Sequence, residues 1–137
     1  MLPFAAALIF IFCGSCSGKD EIQPLTQGGS MKLTSTGFFD GEKMPQEFAK
    51  LGANHIPPLE ISGVPEGTKS LVIIVHDPDA PLPGGFYHWT LWNIPPQTTS
   101  IGEGNVPSEA VEGETSWGTS GYNGPQPPFG THRYIFY

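Results

Sequence analysis

Three polar clusters carry the side chains of this chain that could do chemistry. They are His76-Asp77-Pro78-Asp79-Ala80-Pro81, then Gly84-Gly85-Phe86-Tyr87-His88, then the run from Gly121-Tyr122-Asn123-Gly124 through Pro127-Pro128 to His132-Arg133. Carboxylates and imidazoles brought together can aim charge-assisted hydrogen bonds at an anion, trade protons as general acid and base, or hold a metal. Prolines on both sides of Asp79 restrict the backbone there, and a stiff loop loses less entropy when a ligand is ordered against it.

Each residue also has a plainer reading. Two neighbouring aspartates form a solvated turn in many proteins, although one of them, placed directly after a buried strand, can face inward and orient a histidine. His88 precedes a run of large apolar residues, so a satisfied structural role and a ligand role both fit it. His132 carries the same two readings. Tyr122 is either a core aromatic or, between Gly121 and Gly124, a loop residue with its hydroxyl free for a ligand. Arg133 is expected to pair with an inward carboxylate.

These clusters need elements to position them. Leu71-Val72-Ile73-Ile74-Val75 is β-branched, continuous and too short for a helix, which predicts a strand buried on both faces. Trp89 to Ile94 predicts a second core strand closed by Pro95-Pro96, and Arg133 to Tyr137 a third. Met31 to Thr36 and Leu59 to Ser62 read as further strands, Glu42 to Leu59 as loop, and Ile101 to Ser120 as a long polar, acidic loop. Antiparallel or mixed pairing of the three core strands gathers the clusters at one end of a sheet, where a rigid scaffold can hold a site. The 15 Pro and 18 Gly in 137 residues suit such a turn-rich, mainly β domain. A hydrophobic share of 38% is enough for one modest core. The net charge of -7 argues against nucleic-acid binding but not against a local anion pocket.

Asp77-Pro78-Asp79-Ala80-Pro81, His88-Trp89 with Asn93-Ile94-Pro95, and Gly121-Tyr122 with Gly124, Pro127-Pro128, Gly130 and His132-Arg133-Tyr134 together resemble the phosphatidylethanolamine-binding protein family, in its bacterial Raf-kinase-inhibitor-like branch. The resemblance spans Met31 to Tyr137. It implies a mainly β, sandwich-like fold with a central antiparallel sheet and a pocket for phosphate-type anions or phosphoryl head groups. The implied lining is Asp77, Asp79, His88, Tyr122 and His132, with Gly124, Pro127 and Pro128 at the rim. In that picture Asp77 and His88 form the floor, Asp77 sets the His88 tautomer, and His132 and Tyr122 donate to anion oxygens. Because the family continues past this strand, the domain at 31–137 is expected to be incomplete at its C-terminus.

The leader is read separately. Uncharged Ala5 to Phe12, small residues before Cys16 and polar ones after it resemble a bacterial lipoprotein signal. Residues 1–15 are then a signal peptide, 16–30 a tether lipidated at Cys16, and the protein an anchored component of the cell envelope. No cysteine follows Cys16, so the domain has no internal disulfide and no cysteine-based metal site. The function expected is a non-enzymatic module that binds a small phosphorylated or anionic ligand, with no cofactor, metal or nucleic acid. Two other classes stand beside it: a protein-interaction or inhibitor module acting on a protease or kinase through the Ile101–Ser120 loop, and a phosphoester hydrolase using the Asp/His cluster.

Overall fold

A computed structural model describes residues 31–137, and the expectations for residues 1–30, Cys16 among them, lie outside the described residues. In chain order the elements are β1 (Lys32–Ser35), a 3-10 turn (Gln46–Phe48), β2 (Leu59–Ser62), β3 (Leu71–Asp77), β4 (Phe86–Ile94), β5 (Ser100–Ile101), β6 (Val111–Glu112) and β7 (Ile135–Phe136). They form two antiparallel sheets, ordered β1-β2-β5 and β6-β4-β3-β7. The mainly β, antiparallel architecture expected from the sequence is the one observed.

Both sheets feed one core. Leu59 and Ile61 of β2 and Ile101 of β5 meet Ile73, Val75, Trp89, Leu91 and Ile94 from β3 and β4. Each such side chain contributes about 1.5–3 kcal/mol by leaving water. Tyr122 joins the same cluster, its ring edge-on to Trp89 at 5.8 Å.

One strand expectation and one loop expectation need correction. β3 is buried on one face only: Ile73, Val75 and Asp77 point inward, while Val72 is 55% exposed. Its β-branched residues reflect strand propensity on both faces rather than burial on both. The Ile101–Ser120 segment is not structureless, since β6 pairs with β4 and a bridge joins Glu114 to Ser120.

β4 departs from regular alternation in a way that makes the site. The register steps from Val75 opposite Trp89 to His76 opposite Tyr87, leaving His88 as an extra residue. A β-bulge of this kind re-aims side chains. Here it lets consecutive residues face inward, with His88 3% and Trp89 0% exposed. A second shift lies between the Leu71–Ile94 and Ile73–Leu91 pairs, where Asn93 adopts a left-handed φ of 57° and its amide donates to the Glu109 carbonyl at 2.8 Å.

Candidate functional site

Asp77 ends β3 with its side chain turned into the protein. One carboxylate oxygen accepts the Asp79 backbone N–H at 2.9 Å, which folds the chain back at Pro78, and the other accepts from His132 Nδ1 at 2.7 Å. Both side chains of that pair are about 95% buried, their exposures being 5% for His132 and 4% for Asp77. Gly85 closes the hairpin at φ 74°, packed so closely that a Cβ would collide with the Asp77 carbonyl oxygen. Only glycine fits that approach.

Asp79 faces the other way. Arg133 donates to it from Nε at 2.9 Å, from a terminal nitrogen at 2.7 Å and from its own backbone N–H at 2.8 Å. The guanidinium is what holds the Asp79 carboxyl well below the usual carboxylate range. The Arg133 side chain is 70% exposed, so it pairs with an outward carboxylate and not with the inward one expected. The clamp nevertheless places its neighbour, His132, against Asp77.

His88 is held by a different partner from the one expected. Asp77 is occupied with His132, and His88 Nδ1 lies 2.7 Å from the Asn123 carbonyl oxygen, so Nδ1 carries the proton. Burial pushes the His88 pKa down, against the opposing pull of that carbonyl and of the Asp77 charge. The neutral ring therefore presents Nε2 as an acceptor. Among the described residues neither His88 Nε2 nor His132 Nε2 has a hydrogen-bond partner.

Tyr122 requires a correction. Its hydroxyl is not free on a loop but donates to the Phe48 carbonyl at 2.8 Å, and the residue is 7% exposed within the core. Burial raises its pKa, so it stays a phenol. Gly124 is a packing glycine: a Cβ there would collide with the Phe48 carbonyl oxygen, and its N–H donates to Asn54 Oδ1 at 2.8 Å. These bonds strap the 121–125 segment to the region around the 3-10 turn and so fix the carbonyl that orients His88. Pro127 and Pro128 are exposed in the loop between that strap and His132.

Four residues not singled out from sequence complete the site. Tyr134 packs edge-on to His88 at 5.2 Å, and its buried hydroxyl has no partner among the described residues. Burial pushes its pKa up to about 12, which keeps the hydroxyl a donor. Phe86 packs on the His88 ring at 5.0 Å, with Trp117 edge-on to Phe86 at 5.1 Å. Asn123 supplies the anchoring carbonyl. The position of Tyr134 beside His132-Arg133, directly before β7, was the available signal for it.

An open depression of about 510 Å³ lies over His132, lined also by Asp79, Phe129, Gly130, Thr131 and Arg133. A second concavity of about 540 Å³, lined among others by Phe48, His55, Glu60 and Glu103, shares none of these residues. Among the described residues no three His, Cys, Asp or Glu side chains converge as a metal site needs.

The family model for phosphatidylethanolamine-binding protein matches residues 34–137. A UPF0098 protein of Pyrococcus horikoshii is 39% identical over 144 residues, covering 99% of this chain and 69% of that protein. A UPF0098 protein of Archaeoglobus fulgidus is 41% identical over 140 residues, covering 97% of this chain and 45% of its own length. Among solved structures, Escherichia coli YbcL, described as a member of the mammalian PEBP family, superposes with a TM-score of 0.73 at 37% identity, over 77% of this chain and 73% of YbcL. The buried Asp-His corner and the bulged histidine beside it thus sit in a fold and a sequence shared with these relatives, and the chain belongs to the phosphatidylethanolamine-binding protein family, alongside its UPF0098 members.

Proposed function

We propose that the site is a receptor for a phosphoryl group or similar oxyanion, acting by binding rather than turnover. The observation that carries this reading is the pair of histidines, each anchored through Nδ1 and each with Nε2 unengaged among the described residues. The anchors differ, and so do the roles. His132 Nδ1 is held by the Asp77 carboxylate, and when the ring carries a proton on both nitrogens Nε2 donates to an anionic oxygen, with the bond strengthened by charge. Neutral His88 accepts from Nε2, which suits the P–OH of a monoprotonated phosphoryl group. The unpartnered Tyr134 hydroxyl supplies a second donor. The loop carrying Gly124, Pro127 and Pro128 forms the rim, and Asp79 acts one step away, by fixing Arg133 and hence His132. In the same proposal Cys16 tethers the module to the cell envelope.

Titration calorimetry with inorganic phosphate and phosphoethanolamine tests it, using His132→Gln. Glutamine can still donate to Asp77 but has no second nitrogen to offer. The expected result is saturable binding by the natural protein and at least a roughly tenfold loss in the variant, the scale of a hydrogen bond to a charged group. Equal affinities in the two proteins would overturn the reading, and turnover of phosphoesters in the same samples would replace it with a hydrolase.

A further inference from the structure

Lys50 lies outside every motif above, yet its ammonium ends at the site. Nζ donates to Asn123 Oδ1 and stands 4.7 Å from the centroid of the Trp117 ring. Trp117 continues through Phe86 to His88, so the ammonium rests at the outer end of one aromatic wall. Asn123 joins the two ends: its backbone carbonyl anchors His88 and its side-chain oxygen takes the lysine.

An aromatic face combined with a fixed carbonyl-type oxygen is how proteins hold alkylammonium groups. Both parts are in place independently of the lysine. Asn123 is 7% exposed, and its amide nitrogen is held by Thr119 Oγ1 at 3.2 Å, which aims Oδ1 at the ammonium. Trp117 is 40% exposed and braced edge-on by Phe86, so part of it remains open to solvent. The root of Lys50 is fixed as well, its backbone N–H donating to the Pro125 carbonyl at 3.1 Å.

We propose that Trp117 and Asn123 form an ammonium subsite that Lys50 fills from within the chain, so that the pocket selects phosphoryl ligands without an amine over those that carry one. A ligand amine would have to displace the lysine or share the space with a like charge. The selectivity claim rests on the phosphoryl reading of the histidine site, whereas the subsite itself does not.

The experiment compares the natural protein with Lys50→Ala and Lys50→Met, the second keeping an apolar stem over the ring. Phosphate and phosphoethanolamine affinities are measured by calorimetry, and near-ultraviolet circular dichroism checks that each variant keeps its tertiary packing. The natural protein is expected to bind phosphate at least as well as phosphoethanolamine. Lys50→Ala should shift that ratio toward phosphoethanolamine by roughly fivefold, the scale of one cation–π contact. Lys50→Met should shift it less, and adding Trp117→Leu to Lys50→Ala should cancel the gain. A second arm needs no phosphate: propylammonium chloride should move the Trp117 indole NMR signal in Lys50→Ala and leave it in place in the natural protein. An unchanged ratio together with no propylammonium response would overturn the subsite. A propylammonium response in a protein that ignores phosphate would support the subsite and sink the phosphoryl reading instead.

Discussion

Asp77 and Asp79 are two residues apart on one turn and lead opposite lives. Asp77 is buried and shares its two oxygens between a histidine ring and a backbone N–H. Asp79 lies outside and is gripped by an exposed arginine. Strand geometry decides which is which. Asp77 follows Ile73 and Val75 on the inward face of β3, so period 2 carries it into the core, and the bend at Pro78 throws Asp79 outward. The inner layer (Asp77, His132 and His88) holds the groups that could bind. The outer layer (Asp79 and Arg133) holds the chain that carries one of them.

Asp77→Asn should have the largest effect, because it strikes the inner layer where no substitute partner exists. The amide keeps the shape but has one oxygen where the carboxylate has two. Either His132 Nδ1 or the Asp79 N–H must then face an NH₂ group. Losing one such buried bond and leaving its donor unsatisfied costs about 2–4 kcal/mol. Urea unfolding at pH 7 should show that loss, and phosphate binding should fall with it. A variant within about 0.5 kcal/mol of the natural protein, a typical surface-substitution effect, would mean that the two layers do not differ energetically.

The inner layer was only partly legible in the sequence. The three clusters and their gathering at one sheet end follow from strand order, because antiparallel neighbours return the chain to the same edge. The family motif likewise pointed to Asp77, His88 and His132. The partner of each histidine was not legible. Simple alternation cannot put His88 and Trp89 on the same side, and only the bulge in β4 does so. Tyr122 was misread for a related reason: its loop is tied to Phe48, 74 positions earlier in sequence, by a hydrogen bond that no local pattern announces. Lys50 was missed altogether, since a solitary lysine in a loop resembles any solvated charge until the fold sets it over Trp117.

The two layers should also separate along the pH axis. Burial holds the His88 pKa below its ordinary 6.5. In that window the unfolded chain binds a proton that the folded chain refuses, so acidification destabilises the fold, starting near pH 6.5. The groups facing His88 adjust this in opposite senses, Asp77 favouring the proton and Lys50 opposing it. Thermal melts between pH 7.5 and 5 (a range of about one to two units around the ordinary histidine value) should show a falling midpoint. His88→Gln, which can still donate to the Asn123 carbonyl, should flatten that slope. A slope unchanged by His88→Gln would place the titrating group elsewhere.

Asp79→Asn should be the mildest change and should appear in a different window. The Arg133 guanidinium depresses the Asp79 pKa from its ordinary 3.8, so the pair's contribution is complete above that value and fades as pH falls below it. At neutral pH water and salt screen an ion pair this exposed, and the unfolding midpoint should hardly move. The amide oxygen of the variant can still accept from the Arg133 backbone N–H, so His132 should stay seated. Phosphate affinity should then change by less than about threefold, under one hydrogen bond's worth. Below about pH 4, the ordinary carboxylate range, the natural protein should lose stability faster than the variant, which has no carboxylate left to protonate at this position. If Asp79→Asn instead cost as much binding as Asp77→Asn, the clamp would be inseparable from the site, and the division into an inner binding layer and an outer supporting one would fail.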